Sequence, residues 1–370
     1  MRNTTVRPAA DAAASLLKTA AKFRPVTLPR WTGSRWGWWR AVILIAGLSC
    51  TFAAATQGVV LVGAGSSVPL PLFRKWADLY NQSNKTVQLQ YLPMGTTEGI
   101  KQISNGTSDF GAGETPLTAE ERRDGNLTDL PMVLIGIVPI YNLPGVPQLR
   151  LSGEVLAEIY LGRVKNWDDP AIAKLNPGVA FPKTSIRVIY RPAGKGSNYV
   201  FTDFLSKTST RFHDQIGRSP SPKWPVGESA ERSSDIADRV KNNPGALGYV
   251  ELQYADDNNI TYASVLNPAG KFVKATARSI TAACVAAEAP GWDKLTASLT
   301  NATGADSYPI ASFSWLYVRP STKGQERTAA LVEFLNWAYS DGQNAAIQLG
   351  YSELPKPLVG KVKAKISTLR

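Results

Sequence analysis

The sequence predicts an α/β fold in two domains, and three observations predict it. Short apolar runs alternate with amphipathic stretches, several strand-like runs end in glycine- and hydroxyl-rich turns that open helices, and 370 residues exceed what one core usually serves. Val59–Val62 reads as a buried strand, and Leu70–Asn81 as a helix with Leu72, Trp76 and Leu79 on one face. Val87–Leu92 is the next strand and a helix runs from about Thr97 to Asn105. Met132–Tyr141 is a long apolar strand, Val155–Leu161 a helix, Ile186–Arg191 a strand and Ser197–Lys207 a helix. Ser234–Asn242 is helical and stops at Pro244 and Gly245. Ala246–Val250 and Ile310–Val318 are strands, and Thr328–Ser340 closes as a helix with Leu331, Phe334, Leu335 and Tyr339 inward. The alternation implies mainly parallel sheets. The Pro-, Ser-, Gly- and Asn-rich stretches 217–229 and 253–272 read as surface loops, and no repeat or low-complexity tract interrupts the chain.

Composition narrows the chemistry. Two Cys and one His exclude a disulfide scaffold, a zinc finger and any metal site that needs several imidazoles. A Ser-His or Cys-His mechanism would hang on His213, which lies in a polar, surface-like stretch, and no clustered Asp/His spacing suggests metal-assisted hydrolysis. The net charge is +12, of which residues 1–55 carry +7 and residues 56–370 carry +5. The larger part is therefore mildly basic, which suits a small anionic ligand better than nucleic acid. Sequons, such as those at Asn105, Asn126 and Asn301, decide nothing about function.

Residues 1–55 read as an export segment. Basic residues up to Arg40 precede an apolar run from Ala41 to Leu48, and small residues follow to Ala55. The 15 residues from Ala41 to Ala55 are short for a span of about 20, and Ala53 and Ala55 fit a cleavage site that would start the mature chain near Thr56. Two alternatives stay open: an uncleaved anchor, since Trp31, Trp36, Trp38 and Trp39 suit a membrane interface, and lipidation of Cys50, against which Gly47 departs from the usual Leu. If Cys50 leaves with the segment, Cys284 is alone and reads as a buried structural thiol.

Three strand-to-helix junctions share one design: Gly63 to Val68, Gly95 to Gly99, and Gly194 to Asn198 just after Arg191. Glycine lets the backbone approach a ligand, hydroxyl residues cap the helix, and the first helical N–H groups point outward with the positive end of the dipole. One such junction is a capped helix. Three, with an arginine at a strand end, converge on an oxyanion cage. Neither nucleotide fingerprint is complete, because Gly63 and Gly65 lack the third glycine of G-x-G-x-x-G and Gly194 to Ser197 lack the upstream glycine of a Walker loop.

From about Val59 to Val359 the chain resembles the periplasmic substrate-binding proteins of bacterial phosphate ABC transporters, the PstS type. The resemblance rests on Gly63 to Gly65, Lys75 to Asp78, Gly99 to Ile103, Asp109 to Ala112, Ile159 to Gly162, Trp167 to Gly178, Pro244 to Glu251 and Phe334 to Tyr339, in order. It implies the two-lobed periplasmic binding protein fold with hinge crossover strands: lobe one at 56–134 plus 309–370, lobe two at 135–308, and crossovers at Met132–Tyr141 and before Ile310. It also implies inorganic phosphate as ligand and permease subunits in the inner membrane as partners, with a periplasmic location. No enzyme activity, cofactor, metal or nucleic acid is expected, and the protein is expected to act as a monomer. Carried over residue by residue, the phosphate-binding set is Ser67 and Val68, Thr96, Glu114, Arg191, and Lys195, Gly196 and Ser197.

The chain departs from the family where it matters. Glu114 replaces the usual Asp, Lys195 stands where Ser is usual, Ala193 where an acid pairs with the arginine, and Glu98 where glycine is usual. One expectation is that Lys195 and Glu114 face each other across the cleft and retune or block it. Other readings are Lys195 as a solvated surface lysine and Glu98 as a first-turn acid held by the helix dipole. An altered ligand, another oxyanion such as arsenate or a phosphonate, or a secreted signalling or adhesion role, is the alternative function. A secreted phosphoryl hydrolase is the enzymatic one.

Overall fold

A computed structural model describes residues 58–287, 295–320 and 324–369. The export segment, with its cleavage site and Cys50, lies outside the described residues.

The chain begins β1 (Val59–Gly65), α1 (Leu70–Ser83), β2 (Val87–Pro93), α2 (Thr96–Ser104), β3 (Phe110–Gly113), α3 (Ala119–Asp124) and β4 (Thr128–Tyr141). It continues through β5 (Arg150–Leu151), α4 (Gly153–Tyr160), α5 (Pro170–Leu175), β6 (Arg187–Tyr190), α6 (Gly196–Thr208), α7 (Thr210–Gln215), β7 (Glu228–Ser229), α8 (Ser233–Asn242) and β8 (Ala246–Glu251). After α9 (Leu252–Asp257), β9 (Ser264–Leu266), β10 (Phe272–Val273) and α10 (Ala277–Ala287), it ends with β11 (Ala311–Val318), α11 (Gln325–Ala338), α12 (Asp341–Gln348) and α13 (Lys356–Ile366). The strands expected from apolar runs and the helices expected from periodicity therefore form, with boundaries shifted by a few residues.

One eight-stranded sheet carries the order β2-β1-β3-β11-β4-β8-β6-β7, and β10-β9-β5 form a small second sheet. β4 joins the two halves of the large sheet. Its residues 128–136 pair with β11, and its residues from Ile137 to Tyr141 pair with β8. Tyr308 marks the switch by donating its hydroxyl to the Ile137 carbonyl at 2.8 Å. β4 is buried from Asp129 to Tyr141, which is why it reads as an unbroken apolar run rather than an alternating one.

The sheet is mixed, not mainly parallel as expected. β1 pairs parallel with β2 and β3, and β6 parallel with β7 and β8, but β11 and β4 run antiparallel to their neighbours. Strand-helix alternation within each half signals the parallel pairs, while the crossing strands leave no local trace. The stretch 253–272 is also not one loop: it holds most of α9, whose Leu252, Gln253 and Ala255 are buried, and β9. Its polar residues hid a helix whose inner face is only three residues wide.

Each half has an aromatic core. In the first, Phe73 stacks on Tyr91 at 3.9 Å and Trp76 meets Phe334 edge-on at 6.0 Å. In the second, Phe201 stacks on Tyr249 at 4.3 Å and Tyr160 meets Phe201 edge-on at 4.9 Å. Gly63 is required by this packing, since a Cβ there would lie 2.1 Å from the Phe110 ring. Leu79, expected on the inner face of α1, is half-buried, and Tyr80 takes the buried place.

Asp109, the first residue of one family-like stretch, serves this framework. Its carboxylate accepts from the Val62 N–H at 2.8 Å and from Arg327 Nε at 2.8 Å, tying β1 to α11. Asp109→Ala orphans both donors, so thermal or urea denaturation should show a loss of about 2–4 kcal/mol, with ligand affinity unchanged in the folded protein.

Candidate functional site

The three predicted turns meet where the two halves of the sheet face each other. The first two are tied by backbone, because Met94 and Gly95 both donate to the Gly65 carbonyl at 2.8 Å and Ser66 donates to Ala112 at 2.8 Å. Gly95 has φ 98° and Gly194 φ 83°, conformations that let the chain turn sharply into α2 and toward α6. The third turn arrives from the other half, and Thr97 donates to the Gly194 carbonyl at 3.2 Å across the cleft.

Glu114 follows β3 and is fully buried. Thr96 donates to its Oε2 at 3.2 Å and Ser314, from β11, donates to its Oε1 at 3.0 Å. Burial pushes the Glu114 carboxyl up from 4.5 to about 7, hydrogen bonds from Ser66, Ser314 and Thr96 oppose the rise, and the nearby charge of Glu251 adds to it. The carboxyl therefore changes its proton near neutral pH, inside the cleft.

Gly196 presses against this carboxyl from the opposite half. A Cβ at Gly196 would stand 2.2 Å from Glu114 Oε2 and 2.5 Å from Thr96 Oγ1. Only a residue without a side chain lets the first turn of α6 reach the acid. Ser197, next along, is 2 % exposed and its Oγ has no hydrogen-bond partner.

Arg191 leaves the end of β6 and is 2 % exposed. Its Nη2 donates to Ser67 Oγ at 3.3 Å, across the cleft, and its Nη1 to Ser233 Oγ at 2.9 Å. Its backbone is clamped as well: the Arg191 N–H donates to the Tyr249 hydroxyl at 3.2 Å, and Asn198 Nδ2 donates to the Arg191 carbonyl at 3.2 Å. Arg191 Nε is buried without a partner. A cavity of about 300 Å³ lies on the Ser67 and Ser233 side of this arginine, lined from both halves by Ser67, Val68, Ser233, Glu251 and Tyr351 among others.

Of the expected residues, Ser67 meets Arg191, and Thr96, Glu114 and Gly196 meet one another, with Ser197 beside Gly196. Val68 is buried, with its N–H on Ser66 Oγ at 3.1 Å and its carbonyl accepting from Tyr351 at 2.9 Å. Lys195 does not face Glu114. It is the N-cap residue of α6, and its ammonium pairs with Glu231 on its own side of the cleft. Glu98 turns to Gln102 and Lys101 on its own helix, as a first-turn acid does. His213 is exposed and bonded to Asp214 at 3.0 Å. Sequence reasoning missed Ser66, Ser233, Glu251 and Ser314 as members of the site. Glu251 was visible at the end of a family-like stretch, and Ser314 sits at an inward position of an apolar strand, but Ser233 gave no signal. Among the described residues no group of His, Cys, Asp and Glu could hold a metal ion.

A buried arginine, a carboxyl that titrates near 7 and two unpartnered buried polar atoms, all held between two sheet halves joined by crossing strands, define a binding protein for a small anion. A family model described as a PBP superfamily domain matches residues 52–342. A phosphate-binding protein PstS of Pasteurella multocida is 38% identical over 331 residues, covering 89% of this chain and 96% of the relative. The PstS of Haemophilus influenzae is 36% identical over 314 residues, covering 84% and 94%. The chain belongs to the PBP superfamily and, within it, to the PstS family of these relatives. A putative phosphate ABC transporter substrate-binding protein of Clostridium perfringens, solved with bound phosphate, has a similar fold with TM-score 0.59 at 18% identity, covering 80% of this chain and all of that one. The fold is the two-lobed α/β fold of periplasmic binding proteins.

Two variants test the site. Gly196→Ala places a methyl against Glu114, so ligand affinity should fall at least about 100-fold in calorimetry, and denaturation should show a loss of about 1–3 kcal/mol from overpacking. Glu114 binds its proton more tightly folded than unfolded. Its contribution to stability is therefore full below about pH 4.5 and lost as pH rises through about 7. Glu114→Gln is neutral throughout, so denaturation at pH 4.5 and 8 should show its stability relative to the parent rising by about 3 kcal/mol at the higher pH.

Proposed function

We propose that this protein captures inorganic phosphate, as hydrogen phosphate, in the interlobe cleft and delivers it to an ABC importer. The observation that carries the reading is Glu114 buried opposite the first turn of α6, with Arg191 as its cationic counterpart in the same cleft. Hydrogen phosphate carries a proton that an ionised carboxylate accepts, whereas sulfate carries none and meets repulsion. Arg191 Nε, Ser197 Oγ, the Ser67 hydroxyl and the outward N–H groups at the start of α6 supply the donors that replace water, while the Thr96 hydroxyl, which donates to Glu114, orients the acid. Lys195 and Val68 contribute backbone rather than side chain. The names of the relatives and the phosphate in the similar structure support the same ligand.

The lobes divide at the crossing strands, with 56–134 plus 309–370 on one side and 135–308 on the other. Closure of the two on phosphate is the form that permease subunits in the inner membrane read. The chain works as a monomer in the periplasm after residues 1–55 have directed its export. Among the described residues no helix is long and apolar enough to cross a membrane. The family is one of substrate-binding proteins, not enzymes.

Calorimetric titration of residues 56–370 with phosphate and with sulfate, at pH 6 and pH 8.5, tests this. Phosphate should bind saturably at both. Preference over sulfate should widen at the higher pH, because an ionised Glu114 repels sulfate while a protonated one donates to it. Arg191→Ala should cost about 100-fold or more in phosphate affinity. Sulfate binding without phosphate binding would overturn the ligand.

A further inference from the structure

Arg191 carries a charge that must be balanced where it sits, since a buried ion without a counter-charge costs several kcal/mol, roughly. Ala193, two residues further on, brings none. Glu114 stays on its own side, held by Thr96 and Ser314. The acid that approaches is Glu251, the last residue of β8, whose Oε1 lies 4.0 Å from Arg191 Nη1 with both side chains buried. That separation is too long for a direct hydrogen bond.

Ser233 fills the gap. Its Oγ accepts from Arg191 Nη1 at 2.9 Å and donates to Glu251 Oε2 at 2.7 Å. The polarity is forced, because a guanidinium can only donate, a carboxylate can only accept, and a hydroxyl has one proton to give. The fold places all three. β6 and β8 are parallel neighbours, so Arg191 just beyond one strand and Glu251 at the end of the other emerge side by side. Ser233 is the first residue of α8, and the positive end of that helix favours the nearby carboxylate. The chain of bonds occupies Nη1 from behind. Nη2 reaches Ser67, and Nε remains without a partner.

We infer that Ser233 and Glu251 form a relay that supplies the counter-charge of Arg191 and fixes the plane of its guanidinium, so that Nε and Nη2 are presented to the anion. Both are positioning residues that act through Arg191. The inference rests on the reading of Arg191 as an anion ligand.

The test uses Ser233→Ala, Ser233→Thr and Glu251→Gln, checked for folding by thermal melting. Two quantities are read: phosphate affinity by calorimetry, and the nitrogen-edited NMR signals of the Arg191 guanidinium. A guanidinium pinned through Nη1 rotates slowly about its Cζ–Nε bond and shows separate Hη signals. Ser233→Ala and Glu251→Gln should each lose at least tenfold in phosphate affinity, and in Ser233→Ala the separate Hη signals should merge. Ser233→Thr keeps the hydroxyl and should retain the separate signals and most of the affinity, losing no more than about threefold, well under the 1.4 kcal/mol of a tenfold change. Affinities within twofold of the parent in both disrupting variants, with the Hη signals still separate, would overturn the relay. If the parent chain itself binds no phosphate, the functional reading fails, and the Hη signals decide the relay alone: merging in Ser233→Ala supports it, and persistence refutes it.

Discussion

The structure depends on putting one arginine into a dry cleft and keeping it charged. Arg191 is 2 % exposed, and its side chain reaches residues from both halves of the sheet. In such a place a guanidinium is strongly attractive to an anion because little water competes, and it is costly to the fold for the same reason. The surrounding residues answer that cost in three ways. Hydroxyl groups at Ser67 and Ser233 take up its donors, Tyr249 and Asn198 fix its backbone, and Glu251 stands 4.0 Å away as an opposite charge.

Glu114 faces the complementary problem. Its carboxyl is buried among hydroxyl groups that stabilise the ionised form, yet burial outweighs them and leaves it near 7. A shorter acid would need the α6 turn to come closer. Here Gly196 already approaches so tightly that a Cβ would stand 2.2 Å from the carboxylate oxygen. The extra methylene of Glu114 and the bare backbone of Gly196 are thus two sides of one fit. That fit brings the two halves together at a group whose proton is exchangeable near neutral pH.

Much of this was legible in the sequence, for physical reasons. The turns at Gly63, Gly95 and Gly194 are local features, since glycine, hydroxyl caps and a strand end occur within a few residues of each other. The long apolar run to Tyr141 announced a strand buried on both faces. What was not legible is what depends on register between distant segments. β4 pairs with β11 along one stretch and with β8 along the next, and no residue of β4 announces the change of partner near Gly136 and Ile137. Ser233 and Glu251 reach Arg191 only because β6 and β8 are neighbours. Ser314 reaches Glu114 only because β11 lies beside β3.

The departures from the family pattern acquire a common logic once the partners are known. Lys195 and Ala193 together add positive charge near Arg191, and a cleft with unbalanced positive charge would hold an anion at the expense of releasing it. The ammonium of Lys195, which lies beside Gly95 of the other half, is answered by Glu231 on its own half. The charge of Arg191 is answered from behind by Glu251 through Ser233, on the same half again. Both balancing acids belong to the lobe that carries the cations, so each lobe keeps its own balance whether the cleft is open or closed. Across the cleft the contacts include the Arg191–Ser67 bond, the Thr97–Gly194 bond, the Gln253–Gly350 bond and the approach of Gly196 to Glu114. Among the described residues no ion pair spans the cleft.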